Sequence, residues 1–323
     1  MKQGVCEEHL KIAVYKDTLA NNRGADVAVR NLVEGLAERG HAVTLITRDE
    51  FAAKIRGGYD VIVSTGTNEI LDLAEVDGLP PIVQQFHTDP AYPFRHWIRK
   101  WRRNRAIKAA LKKVSAIQIL RGEHRTTLGK LGISAAHIEV IGNWSSFQSN
   151  NRTIEQSNNV IVYPAAVNKD KNQRLLVAAF DTLKREFPDW RLELYGKGTP
   201  NGFCDLGKVY SDCAFVAFPS KTEGFPLTLA DAAAFGKPAV MIRDWIGTCA
   251  AGGGIVTEPT VRAFAAGLRR LMADEPLRRQ MGACARAYCA EHYSREKILD
   301  RWEAVLNSFK FASFKEVKRG HLN

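Results

Sequence analysis

Glu223 and Asp231 stand eight residues apart, the first in a polar turn and the second inside the helix that the turn leads into. An apolar strand at 214–218 runs into Lys221, Thr222, Glu223 and Gly224. Pro226 opens the helix, and Gly236-Lys237-Pro238 stops it before another strand at 238–242. The N-terminus of such a helix offers unpaired N–H groups and a partial positive charge, a seat for a phosphate, while acids nearby grip sugar hydroxyls. Lys171, in YPAAVNKDKNQRLLVAAF, stands where a second strand meets a helix. A helix dipole disfavours a cation at that end, so a phosphate held close by accounts for the lysine better. The alternative is a plain parallel-sheet crossover with a solvated acid and a solvated lysine.

Holding these groups takes βαβ units. Short apolar runs alternate with helical patterns, predicting strands at 11–15, 42–47, 61–65, 82–87, 116–120 and 138–141, the signature of a doubly wound parallel sheet. The segment WSSFQSNNRTIEQSNN is polar and without periodicity, which reads as a linker. The alternation then resumes with strands at 160–163, 191–195, 214–218, 238–242 and 254–257, followed by helices. The reading is α/β, with two Rossmann-like domains: 1–145, a linker at 146–159, a second domain with C-terminal helices at 160–309, and a loose basic tail at 310–323.

Glu223-Gly224-Phe225-Pro226-Leu227, with Asp231 further on, resembles the E-G-F-x-L-x-x-x-E-A motif of retaining glycosyltransferases of the GT-B fold, the large group 1 family with two acids at this spacing. The likeness runs from about Lys11 to Phe309, taking in GADVAVRNLVEGLAERGHAVTLIT and LRRQMGACARAYCAEHYSREKILDRWEAVL. It implies a nucleotide-diphosphate sugar as donor substrate, no cofactor, and a crevice between two lobes. On the family's pattern Glu223 contacts the donor sugar and Asp231, shortened from Glu, the ribose. Lys171 matches the family lysine that binds the donor phosphates, and Gly224, Phe225 and Leu227 complete the donor loop. His87 falls where the family carries a histidine facing acceptor and donor, and Gly24 keeps one glycine of the family's G-G-x-E loop, the preceding one having become Arg23. The last helix, with Ser294–Leu306 as candidate, is expected to cross back to the first domain.

Departures from the pattern are specific. The family arginine upstream of Lys171 is missing, its possible positions holding Ala165 and Ala166, with Lys169, Arg174, Lys221 or Arg23 as substitutes. Residues 197–214, eighteen in all, are too few for the helix, strand and helix the family places there, so the second domain is expected to have a narrower sheet. No covalent nucleophile and no D-x-D pair stands out, so metal independence is expected.

At 323 residues, with 45% hydrophobic and 25% charged content, the chain reads as a two-domain globular protein. No apolar run suffices to span a bilayer and MKQGVCEEHLK lacks a signal-peptide core, so a cytoplasmic location is expected. Six scattered cysteines fit neither a disulfide framework nor a zinc site. The net charge of +11 concentrates in PFRHWIRKWRRNRAIKAALKKV at 93–114, which has nine Lys or Arg and no acid. Trp97, Trp101, Ile107, Leu111 and Val114 form an apolar stripe in it. With Arg99, Lys100, Arg102 and Arg103 this suits peripheral docking on an anionic membrane, at the inner face of the plasma membrane, beside a lipid-linked acceptor. A packed helix with a solvated basic face and a nucleic-acid footprint are the alternatives. Nothing resembles a recognition helix or a zinc finger, so nucleic acid is not expected as a partner. The expected activity is transfer of a sugar to a glycan or lipid-linked acceptor in cell-surface polysaccharide or lipopolysaccharide synthesis. A non-catalytic binding relative and a nucleotide-sugar epimerase stand as alternatives.

Overall fold

The computed structural model describes residues 9–19, 24–94, 100–134, 137–147 and 158–320, with 310–320 as backbone only. The chain forms two compact units, Met1–Asn143 with Arg295–Asn323, and Trp144–Ser294.

In the first unit β1 (Lys11–Tyr15), α1 (Gly24–Glu38), β2 (Ala42–Ile46), α2 (Phe51–Lys54), β3 (Val61–Ser64), α3 (Thr67–Ala74), β4 (Ile82–Gln85), α4 (Trp101–Leu111), β5 (Ala116–Ile119), α5 (His124–Lys130) and β6 (Ile138–Val140) follow one another. They build a six-stranded parallel sheet in the order β2-β1-β3-β4-β5-β6. β3, β4 and β5 are buried at every position, as a parallel sheet covered on both faces requires. On one face Ile62, Ile82, Ile117 and Ile119 join Ile70, Leu73, Ile107, Leu111 and Leu128 in a single core.

The second unit runs through β7 (Val160–Pro164), α6 (Gln173–Asp181), β8 (Arg191–Tyr195), α7 (Leu206–Asp212), β9 (Phe215–Phe218), α8 (Leu227–Ala234), β10 (Ala239–Met241), β11 (Gly254–Val256), α9 (Val261–Ala273) and α10 (Glu275–His292). Its parallel sheet has five strands in the order β11-β10-β9-β7-β8. Between β8 and β9 lies one helix, α7, and no strand, so the sheet has the reduced width that residues 197–214 dictate. All eleven strands fall within two residues of the predicted bounds.

Two boundaries differ from the sequence reading. The second domain ends at Ser294 rather than 309, because α11 (Arg295–Gly320) clusters with the first unit, in keeping with the expected return of the last helix. Ile298, Leu299, Trp302, Val305 and Leu306 are buried there. Gly35 of α1 makes the room: a Cβ at that position would lie 2.8 Å from Leu299 Cδ2. Arg39 adds bonds to Asp300 and Glu303, both at 2.6 Å. The second correction concerns the tail expected to be loose, which continues α11 as helix to Gly320. Of the linker, Trp144–Phe147 cluster with the second unit, and 148–157 lie outside the described residues.

Candidate functional site

β7 pairs with β8 on one side and β9 on the other, so the sheet grows in opposite directions from it. At such a switch point the loops leaving the strand C-termini part and open a crevice, the usual ligand seat of an open α/β sheet. Lys171 follows β7 and Glu223 follows β9, and Lys171 Nζ donates to Glu223 Oε1 at 2.5 Å. The side chains are 26% and 11% exposed, so the pair is largely shielded rather than on open surface.

Residues the sequence reading passed over hold these loops. Asn168 Oδ1 accepts from the backbone N–H of Asp170 and Lys171, each at 2.9 Å, an Asx turn that aims the lysine. Asn172 takes a left-handed conformation, φ 54°, where the loop enters α6, and its amide donates to Pro219 O at 3.3 Å. Tyr163 OH donates to Lys171 O at 3.1 Å and meets Ser220 Oγ at 2.6 Å, so one phenol braces both loops. Two asparagines flanking a lysine were a legible turn signal. Where Ala165 and Ala166 replace the family arginine, Gln173 donates to both carbonyls. Gly196, at φ 113°, passes so close that a Cβ would stand 3.0 Å from Ala165 C.

α8 begins at Leu227 behind the buried Gly224, Phe225 and Pro226. Thr228 Oγ1 ties it to Pro164 O at 3.1 Å, and Gly236 ends it in the left-handed conformation, φ 64°. Asp231 is 5% exposed, and its Oδ1 accepts from Ser145 Oγ at 2.8 Å and Ser146 N at 3.0 Å. Oδ2 makes no hydrogen bond among the described residues. Burial lifts this carboxyl to about 6, against the two serine bonds, which lower it.

The first unit repeats the arrangement at its own switch point, since β1 pairs with both β2 and β3. Lys16, after β1, donates to Glu69 Oε1 at 3.0 Å, and Glu69 lies in the first turn of α3, after β3. Asp17 accepts from Asn68 Nδ2 at 3.1 Å. Burial raises the Asp17 carboxyl, but Asn68 and the charge of Lys16 outweigh it and hold the group below its ordinary value. His87 lies two residues beyond β4, with both ring nitrogens buried and without a hydrogen-bond partner among the described residues. Burial, and then the charge of Lys16, push its imidazole down to about 3, so it is neutral at physiological pH. Gly24 is the first residue of α1, and Arg23 lies outside the described residues.

The basic segment is corrected in part. Trp97 and Arg99 lie outside the described residues, and the helix spans Trp101–Leu111. Ile107, Leu111 and Val114 of the apolar stripe belong to the core of the first unit. Trp101 stays 52% exposed, with the Arg105 guanidinium 5.6 Å above its ring and Lys100, Arg102 and Arg103 exposed around it. Arg103 also donates to Asn68 Oδ1 at 2.6 Å. Among the described residues no helix is long and apolar enough to cross a membrane.

Residues 158–274 match the family model for glycosyl transferases group 1. A Haemophilus influenzae protein named as an uncharacterized glycosyltransferase is 24% identical over 57% of this chain, and the match spans 59% of that relative. Among solved structures, HepE from Anabaena in complex with UDP and glucose superposes with a TM-score of 0.76 at 15% identity, over 93% of this chain and all of that one. Sucrose-phosphate synthase from Thermosynechococcus elongatus gives 0.75 at 17% identity, over 94% of this chain and 100% of that one. TarM from S. aureus gives 0.64 at 16% identity, over 76% of this chain and 54% of that one. The switch-point lysine and acid thus lie within the segment that matches the group 1 glycosyl transferase model, on a chain whose two parallel sheets have the GT-B fold along nearly its whole length.

Proposed function

We propose that the protein is a retaining, metal-independent glycosyltransferase that moves a sugar, a hexose in the simplest case, from a nucleotide-diphosphate sugar onto a glycan or lipid-linked acceptor. The observation that carries this is the Lys171–Glu223 pair at the switch point of the second sheet. When donor enters, Lys171 exchanges the carboxylate for the diphosphate, beside the N–H groups that open α8. Glu223, released from its lysine, accepts hydrogen bonds from the sugar hydroxyls, and Asp231 Oδ2 accepts from the ribose. The exposed Lys169, Arg174 and Lys221 surround the loops and supply the charge that Ala165 and Ala166 do not. His87, neutral, serves the acceptor side as a hydrogen-bonding group rather than as a cation.

In the reaction the bond from the anomeric carbon to the diphosphate oxygen breaks as the acceptor oxygen bonds to the same face. The acceptor proton passes to the departing phosphate, so no protein nucleophile is required. Because HepE is described with UDP and with glucose, UDP-sugars are the first donors to try. The alternative, a relative that binds nucleotide sugar without turning it over, is favoured by Ala165 and Ala166 and by the shortened second domain. The patch around Trp101 fits peripheral docking at the cytoplasmic membrane face during cell-surface polysaccharide or lipopolysaccharide synthesis.

The experiment follows donor consumption and the anomeric configuration of the product across a panel of nucleotide sugars, with and without EDTA, for the wild type and Glu223→Ala. Turnover with retained configuration, unaffected by EDTA and lost in the variant, is expected. Undiminished turnover in Glu223→Ala overturns the assignment, and donor binding without turnover by the wild type supports the binding relative.

A further inference from the structure

The second unit has two ends, Trp144 and Ser294, at which the chain comes in and goes out. Both are fastened to the single segment that carries Glu223. At the first end Asp231 on α8 accepts from Ser145 Oγ and Ser146 N, and Ser145 Oγ in turn accepts from Phe147 N at 3.0 Å. The Phe147 ring then packs edge-on against Phe235, just past α8, at 5.2 Å, and against Tyr210 at 6.1 Å. At the other end the Tyr293 ring meets Phe225, two residues after Glu223, edge-on at 4.9 Å, and its hydroxyl donates to Ile246 O at 3.1 Å. Phe225 and Asp231 are both buried, so neither contact is an incidental surface touch.

We propose that Asp231 and Tyr293 are positioning residues that couple the Glu223 loop and α8 to the segments by which the chain enters and leaves the second unit. Asp231 joins the two because its oxygens divide the work: Oδ1 is occupied by the serines, whereas Oδ2 makes no hydrogen bond among the described residues. A hydrogen bond to a buried carboxylate is of the stronger, charge-assisted kind, and aromatic pairs at these separations add to the packing. Order in the loop and order in the two end segments therefore rise and fall together. The consequence for turnover rests on the donor-site reading above, but the coupling does not.

Hydrogen–deuterium exchange on the full chain tests it. Ser145→Ala and Tyr293→Leu should each speed exchange about tenfold in peptides covering 219–226, while peptides from β8 in the same sheet stay unchanged. Ser145→Thr, which keeps the hydroxyl, should restore the wild-type rate. Should Tyr293→Leu fail to fold, the Ser145 pair decides alone. Faster exchange confined to 144–147 and 288–294, or spread evenly through the unit, overturns the coupling, since either marks a merely structural contact. With UDP as probe, protection of 219–226 together with both end segments supports it and protection of 219–226 alone overturns it. UDP that protects nothing counts against a UDP-sugar donor, and the serine and tyrosine variants then decide the coupling.

Discussion

Asp231→Asn should stabilise the second unit at neutral pH. Burial moves the carboxyl from 3.8 to about 6, even with Ser145 and Ser146 donating to it. At about 1.4 kcal/mol for each tenfold change in proton affinity, keeping the group ionised at pH 8 costs the folded state on the order of 3 kcal/mol. Between about pH 4 and pH 6 the folded chain holds a proton that the unfolded chain has lost, so stability falls as pH rises through that window and the full cost is present above it. Asparagine keeps an oxygen where Oδ1 accepts from the serines and carries no charge to bury. Urea unfolding of the two proteins should therefore show the variant more stable by up to about 3 kcal/mol at pH 8, shrinking to roughly half that at pH 5. A variant that is less stable at pH 8, with a difference that does not change with pH, refutes the reasoning. It would mean that the serine hydrogen bonds more than offset the burial of the charge. A charge kept at such a cost points to use, and the same variant should weaken donor binding about tenfold.

Lys171→Met should raise the donor KM at least about tenfold and cost about 1 kcal/mol of stability or less, because Glu223 keeps access to water; an unchanged KM in steady-state assays counts against a phosphate role. His87→Gln should leave the pH–rate profile between pH 5 and 8 unaltered in shape, since an imidazole held near 3 does not titrate there; loss of an inflection near pH 6.5 would show the histidine cycling charge. The same depressed group contributes stability that is complete above about pH 6.5 and is lost as pH falls toward 3, so His87→Gln should flatten acid unfolding followed by circular dichroism. Trp101→Ala combined with Arg102→Ser should abolish co-sedimentation with anionic vesicles while leaving thermal stability within about 0.5 kcal/mol, because these side chains are exposed; wild-type binding equal on neutral vesicles would remove the electrostatic reading.

Much of the fold was legible because parallel strands buried on both faces are short runs of apolar residues with few polar interruptions, and VIVY, FVAF and KIAVY can hardly be anything else. Periodicity reports that a stripe is buried without saying against what. Ile107, Leu111 and Val114 therefore read both as a membrane face and as the core layer they join, and α11 could be assigned to the first unit only through the family likeness, not from its own periodicity. Lys171, Glu223 and Asp231 were visible through local spacing and a family motif. The hydrogen bonds that decide their state were not, because each joins residues far apart in the chain: 52 positions for Lys171 with Glu223 and 86 for Ser145 with Asp231.

Lys16–Glu69 and Lys171–Glu223 answer the same physical problem in two sheets. A parallel sheet sends every strand C-terminus to one edge, and where its winding reverses two loops part and leave backbone and side chains facing a gap. An ion pair across that gap satisfies both groups until a ligand competes for them. The glutamate of the first unit is 3% exposed against 11% in the second, and its lysine 15% against 26%. A more deeply buried pair is more expensive to break, because each separated charge would remain poorly solvated. The second pair is thus the easier one for an anionic ligand to open, and the first, further bonded to Asp17 N at 3.2 Å, is the one suited to hold its loop in place.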